Sequence, residues 1–182
     1  MVSKVVVKNK PLYYAVAAIT LDGYIARKPG QNSTQWTSKE DYSHLKKMEA
    51  HADILLLART TFEFAKKGLS KYNCIVLTSK AKKGIEQKSD SVIYLNPSKK
   101  SLAEYIAEKG YKKICILGGR GAYDYCLQHN LLNELYITIE PVLFGKGIGM
   151  FSREIKLKKF SLVSSKKLNK KGSLLLHYKK SD

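Results

Sequence analysis

Cysteine, proline and acidic residues are scarce in this 182-residue chain, and none of its apolar runs approaches the roughly 20 residues that span a bilayer. The three cysteines, Cys74, Cys115 and Cys126, are odd in number, widely spaced and mostly set in apolar runs. That excludes a disulfide scaffold or a metal knuckle and reads as buried thiols in a reducing compartment, with no metal ligands. With only four prolines and 44% hydrophobic residues, the chain reads as globular rather than disordered. The opening MVSKVVVKNK lacks the apolar core and small-residue cleavage site of a signal peptide, so a cytoplasmic protein without a membrane partner is expected. No repeat and no linker interrupts the sequence, and residues 1–182 read as one domain able to bury a core.

Acidic residues number 15 against 33 Lys+Arg, a net charge of +18. The lysines fall in scattered pairs such as Lys46-Lys47 and Lys112-Lys113, without a zinc-finger, RRM or KH signature. No nucleic-acid partner is expected; the charge reads as a solvated lysine surface that helps attract an anionic small molecule.

Apolar runs at 12–21, 53–58, 74–77, 91–95, 114–117 and 134–144 read as strands, and residues 38–51, 60–67, 99–109 and 122–129 as helices. Gly68 is expected to stop the second helix and Gly110 the third, and the tail reads as a hairpin turning near Asn169–Gly172. This alternation implies an α/β sandwich on a mostly parallel sheet, closed by an antiparallel C-terminal hairpin.

Ligands of such sheets gather at the carboxyl ends of the strands. Three ends carry groups suited to phosphate: Arg59-Thr60-Thr61, Thr78-Ser79-Lys80, and Gly118-Gly119-Arg120-Gly121. Together they suggest a dinucleotide groove in which Arg59 suits the 2′-phosphate of NADP, although the GxGxxG fingerprint is absent. The stretch QWTSKED holds the only tryptophan, Trp36, and an acid, Asp41, in an amphipathic helix. Two capping boxes compete there, Thr37-x-x-Glu40 and Ser38-x-x-Asp41; the second would make Asp41 an accessory of its own helix end. Yet Asp41, Leu45, Met48 and Ala52 fall on one helix face, which turns the carboxylate toward the sheet. Burial there raises its pKa and suits proton delivery.

From about residue 12 to 180 the chain resembles the dihydrofolate reductase superfamily, which includes the reductase domain of riboflavin biosynthesis. The resemblance rests on AAITLDGYIA, on Trp36 with Asp41 five places later, and on ARTTFE, LTS, LGGRGAY and ELYIT. It implies a dihydrofolate reductase-like three-layer sandwich that reduces 7,8-dihydrofolate with NADPH. Arg59, Thr60 and Thr61 would meet the 2′-phosphate side, with Thr78 and Ser79 nearby. Gly118, Gly119, Arg120 and Gly121 would cradle the pyrophosphate, and Ala18 and Ile25 would line the nicotinamide. Tyr123 would sit beside the hydride. Asp41, helped by Thr138, would grip the pterin, Trp36 would hold the water that protonates N5, and Leu45 would pack on the substrate's aromatic middle.

The pattern also has departures. Ala58 replaces a glycine before the arginine, Arg120 interrupts the glycine run, and the arginine that clamps a folate tail has no clear counterpart, Lys71 being the nearest cation. The rival within the resemblance is an NADPH-dependent reductase of a ribosylaminopyrimidine phosphate. LDGYIA, QWTS and GGRGAYDYCLQHNLLNELYITIEPVLFGKG resemble that branch strongly, but ARTTFEFAKKGLSKYN stands where it carries a segment with paired aspartates. That branch commonly forms dimers, so a homodimer is a further implication. A non-catalytic basic module on the same fold is the third reading; the inward acid argues against it. His44 and His51 read as helix-surface residues, His177 as structural, and Glu140 receives no role.

Overall fold

The runs at 12–20, 54–58, 74–77 and 113–118 are apolar at nearly every position because both their faces are covered, as in a parallel sheet lined by helices. A computed structural model describes residues 10–152 and 156–181. In chain order it places β1 (Leu12–Thr20), β2 (Tyr24–Ala26), a 3-10 turn (Ser33–Gln35), α1 (Lys39–Ala50), β3 (Ile54–Ala58), α2 (Arg59–Leu69), β4 (Cys74–Leu77), β5 (Ile85–Ser89) and β6 (Val92–Leu95). There follow α3 (Leu102–Lys109), β7 (Lys113–Gly118), α4 (Arg120–Gln128), β8 (Glu134–Glu140), β9 (Ile148–Gly149), β10 (Phe160–Lys167) and β11 (Leu174–Lys180).

Nine strands form one sheet in the order β10-β11-β8-β1-β7-β3-β4-β6-β5. The run from β8 to β6 is parallel throughout, and the C-terminal hairpin adds antiparallel β11 and β10 at one edge. Along β1 and β3 the side chains alternate between two cores. Tyr13, Ala15, Ala17, Ile54 and Leu56 face one core with α3 and α4; Tyr14, Val16, Leu55 and Leu57 face the other with α1 and α2. Helices on both faces give the expected three-layer sandwich. Full burial of Leu56, Ile75 and Ile116 contributes about 1.5–3 kcal/mol each.

Three local expectations change. Gly68 does not stop α2, which runs on to Leu69; Arg120 and Gly121 lie inside the first turn of α4 rather than in a loop before it. β5, and the two-stranded β2–β9 sheet, were not expected. β5 is IEQKS, almost wholly exposed, and so carries no apolar signal. Gly110 does end α3, in a left-handed conformation at φ 73°.

Candidate active site

Where β7 and β3 end, the chain turns directly into α4 and α2, and between these ends, the end of β1 and α1 lies a groove of about 410 Å³. Its lining brings together many of the expected residues: Ala18 and Ile25, Asp41 and Leu45, Thr60 and Thr61, the stretch Gly118–Gly121, and Tyr123. Arg59, Thr78 and Ser79 fall outside the lining, as do Trp36 and Thr138.

The starts of α2 and α4, both on the groove, lack a capping side chain. The N-cap residues are Ala58 for α2 and Gly119 for α4, and neither supplies an acceptor to the free N–H groups of the first turn. Those donors and the positive ends of two helix dipoles meet in one place, the arrangement that holds phosphate. The two turns are tied together: the Gly119 amide donates to Thr61 Oγ1 at 2.8 Å. A Cβ on Gly119 would lie 2.6 Å from that oxygen and 3.0 Å from Ala58 Cβ, so this glycine is required by packing. Around Gly121, by contrast, nothing lies within 4 Å of where a Cβ would stand. Thr78 is buried and its hydroxyl accepts from the Lys80 amide at 3.2 Å, which closes a local turn instead of facing the groove.

Asp41 is 6% exposed, on the α1 face turned to the sheet. The N-cap is Ser38, whose hydroxyl accepts from the Asp41 amide at 3.2 Å, so the helix uses the Ser38-x-x-Asp41 register. The reciprocal half of that box is not made by Asp41. Instead the Ser38 amide and hydroxyl both donate to Glu140 Oε1, at 2.8 and 2.7 Å. The acid is thus free of the Ser38 amide, although the register is the one that would have joined them. Burial pushes its carboxyl above the usual carboxylate range; the Thr138 and Thr37 hydroxyls pull it down, and the Glu140 charge adds to the rise. Thr138 is buried on β8, paired in register with Ala18 of β1, which explains how it stands beside Asp41 without lining the groove.

Several assignments change on this geometry. The Tyr123 hydroxyl donates to the Val16 carbonyl at 2.8 Å and burial pushes it well up, so the ring forms a wall and its proton is committed. Trp36 packs edge-on to Phe144 at 5.1 Å; its indole N–H is buried without a partner among the described residues. His44 is not a surface residue: it is half-buried, 5.9 Å from the Tyr136 ring, and desolvation lowers its pKa. His177 is structural as expected, stacked on Tyr136 at 4.1 Å and bonded to Glu134 at 3.0 Å. Sequence reasoning missed Glu49, buried at 3% exposure, paired with Lys46 at 2.7 Å and lining the groove. It lies two turns beyond Asp41, a spacing that could have revealed it. Phe64 and the segment from Lys28 to Ser33 form the outer wall.

The residues present fit a phosphate-bearing group: two uncapped helix starts and open space at Gly121.

A three-layer α/β sandwich with an acid buried beside a groove at the carboxyl ends of parallel strands defines a small-molecule site. The chain belongs to the RibD C-terminal domain family, whose model matches residues 14–173. It is similar to a dihydrofolate reductase of Mycoplasma genitalium, at 27% identity over 81% of this chain and 86% of that protein. Its fold is similar to that of a diaminohydroxyphosphoribosylaminopyrimidine deaminase/5-amino-6-(5-phosphoribosylamino)uracil reductase of Thermotoga maritima, with a TM-score of 0.70 and 16% identity over 96% of this chain. The chain spans 58% of that longer protein. A dihydrofolate reductase of Enterococcus faecalis, complexed with NADP(H) and RAB-propyl, superposes with a TM-score of 0.66 at 23% identity, covering 94% of this chain and 97% of that one.

Proposed function

We propose that the protein is an NADPH-dependent reductase of a ribosylaminopyrimidine phosphate. The observation that carries this reading is the family match, which runs from β1 to the turn before β11 and so takes in every element that lines the groove. It reverses the preference for dihydrofolate drawn from the sequence, which leaned on the absence of one segment after β3.

When bound, NADPH supplies a hydride. The chain's own part is placement and charge. The free N–H groups that begin α2 and α4, with the Thr60 and Thr61 hydroxyls, would hold the pyrophosphate, and Arg120 would neutralise it. Arg59 and Ser79, beyond the lining, would meet the adenosine end. Ala18, Ile25 and Tyr123 would form the nicotinamide wall, which excludes water. Asp41, beside Thr138, faces the pyrimidine across the groove. As a carboxyl whose pKa burial raises, it could hold a proton on its oxygen and deliver it to the ribosyl ring oxygen as the bond from that oxygen to C1′ breaks, C1′ being the carbon to which the cofactor would supply its hydride. Leu45 packs on the ring.

A second reading, reduction of dihydrofolate, draws support from the Mycoplasma genitalium relative and from Trp36, whose unpartnered N–H could hold a water. The two separate in one assay. Purified protein and NADPH are offered the phosphoribosylaminopyrimidine and dihydrofolate in turn, and loss of NADPH absorbance is followed. Consumption with the pyrimidine is expected; consumption with dihydrofolate alone would overturn the choice.

A further inference from the structure

Glu140 is 3% exposed at the end of β8 and accepts from three donors: the Ser38 amide, the Ser38 hydroxyl and the Ser173 hydroxyl. The first is the group that a capping box normally gives to the residue three places into the helix, here Asp41. Ser173 is itself buried and is held by Asn169, whose amide donates to its hydroxyl at 2.9 Å and to Glu40 at 3.3 Å. One carboxylate thus joins β8, the hairpin turn and the start of α1.

We propose that Glu140 is a positioning residue for the site acid: by occupying the Ser38 amide it keeps the Asp41 carboxylate from closing the capping box and leaves it turned into the groove. The proposal rests on Asp41 being the acid of the site. A tie between β8 and α1 needs an acceptor for Ser38 and no negative charge. Here the tie is made by a carboxylate close enough to Asp41 to repel its ionised form. From the other elements around the groove, Glu49, Arg120 and Lys28 face the same space, and Thr37 and Thr138 supply hydroxyls. Glu140 is the acid that touches the α1 N-cap.

The test uses the full chain without cofactor or substrate. The Asp41 carboxyl carbon is followed by NMR against pH and assigned by its loss in Asp41→Asn. Glu140→Gln keeps an oxygen for Ser38 and removes the charge, and so gives the titration of an Asp41 still held off the Ser38 amide; an Ala variant in which Asp41 titrates no lower than in this Gln variant would overturn the proposal. Glu140→Ala leaves the Ser38 amide without an acceptor; Asp41 then turns to cap it and titrates lower, because a hydrogen bond now favours its charged form. In NADPH-dependent reduction, kcat/KM of that variant falls roughly ten- to hundredfold, the loss of one charge-assisted hydrogen bond, with NADPH affinity retained. An Ala variant that keeps its parent titration and rate would also overturn the proposal. Should the parent reduce neither substrate, the functional reading fails, yet the titration still decides the role of Glu140.

Discussion

Gly119 and Gly121 stand two residues apart at the start of α4, and the structure gives them different reasons to be glycine. At Gly119 an added methyl meets Thr61 Oγ1 at 2.6 Å and Ala58 Cβ at 3.0 Å, on a backbone at φ 22° that L side chains rarely adopt. Overpacking and backbone strain together cost about 2–4 kcal/mol, or roughly 5–15 °C of Tm for a chain of this size. At Gly121 the methyl meets nothing within 4 Å and lies inside a helix, so helix propensity makes Gly121→Ala more stable by about 0.5–1 kcal/mol. Gly121 lines the groove, so the methyl would take up open space proposed for the pyrophosphate. A close approach blocked by one carbon costs about 1–3 kcal/mol, a loss of roughly ten- to hundredfold in affinity. Thermal melts and quenching of Trp36 fluorescence by NADPH measure the two quantities separately. Gly119→Ala should lose both stability and affinity, and Gly121→Ala affinity alone. NADPH binding by Gly121→Ala at parental strength would refute the placement of the cofactor over this turn.

Two further outcomes follow from burial. The Asp41 carboxyl holds its proton more tightly in the fold than in the unfolded chain, so the folded state is relatively favoured below the unfolded pKa and loses that stability as pH rises through the folded value. Asp41→Asn should therefore raise Tm near pH 7, by an amount that shrinks as pH falls, while abolishing most turnover; a Tm difference that grows on acidification would contradict the burial. Burial pushes the Cys74 and Cys126 thiols up to about 12 and Cys115 higher, so none should react with a thiol reagent at pH 8 until the chain is unfolded; rapid labelling of the native protein would show otherwise.

The parallel core was legible because strands covered on both faces read as unbroken apolar runs, as ILLLA and CIVL do. Edge strands carry no such signature: β5 is polar along most of its length, and β2 and β9 are too short to show any period. In the site, the inward turn of Asp41 followed from helical spacing, as did Leu45 on the same wall. What frees Asp41 did not, because Glu140 is 102 residues from Ser38 and no local pattern joins them. Glu49 shares the Asp41 face two turns on, a signal masked by Lys46, beside which it reads as an exposed helix pair although it is buried. Thr78 was read as a phosphate ligand from its place after a strand, whereas its hydroxyl is spent on the Lys80 amide.

The most direct measurement follows the hydride itself. NADPH carrying deuterium at both positions of the transferring carbon is incubated with the protein and the phosphoribosylaminopyrimidine, and the reduced product is examined by mass spectrometry. Label is expected in the product with the parent chain, and with Asp41→Asn a transfer slower by orders of magnitude despite unchanged NADPH binding. Label arriving at the parental rate in Asp41→Asn, or a reduced product without label, would contradict that expectation.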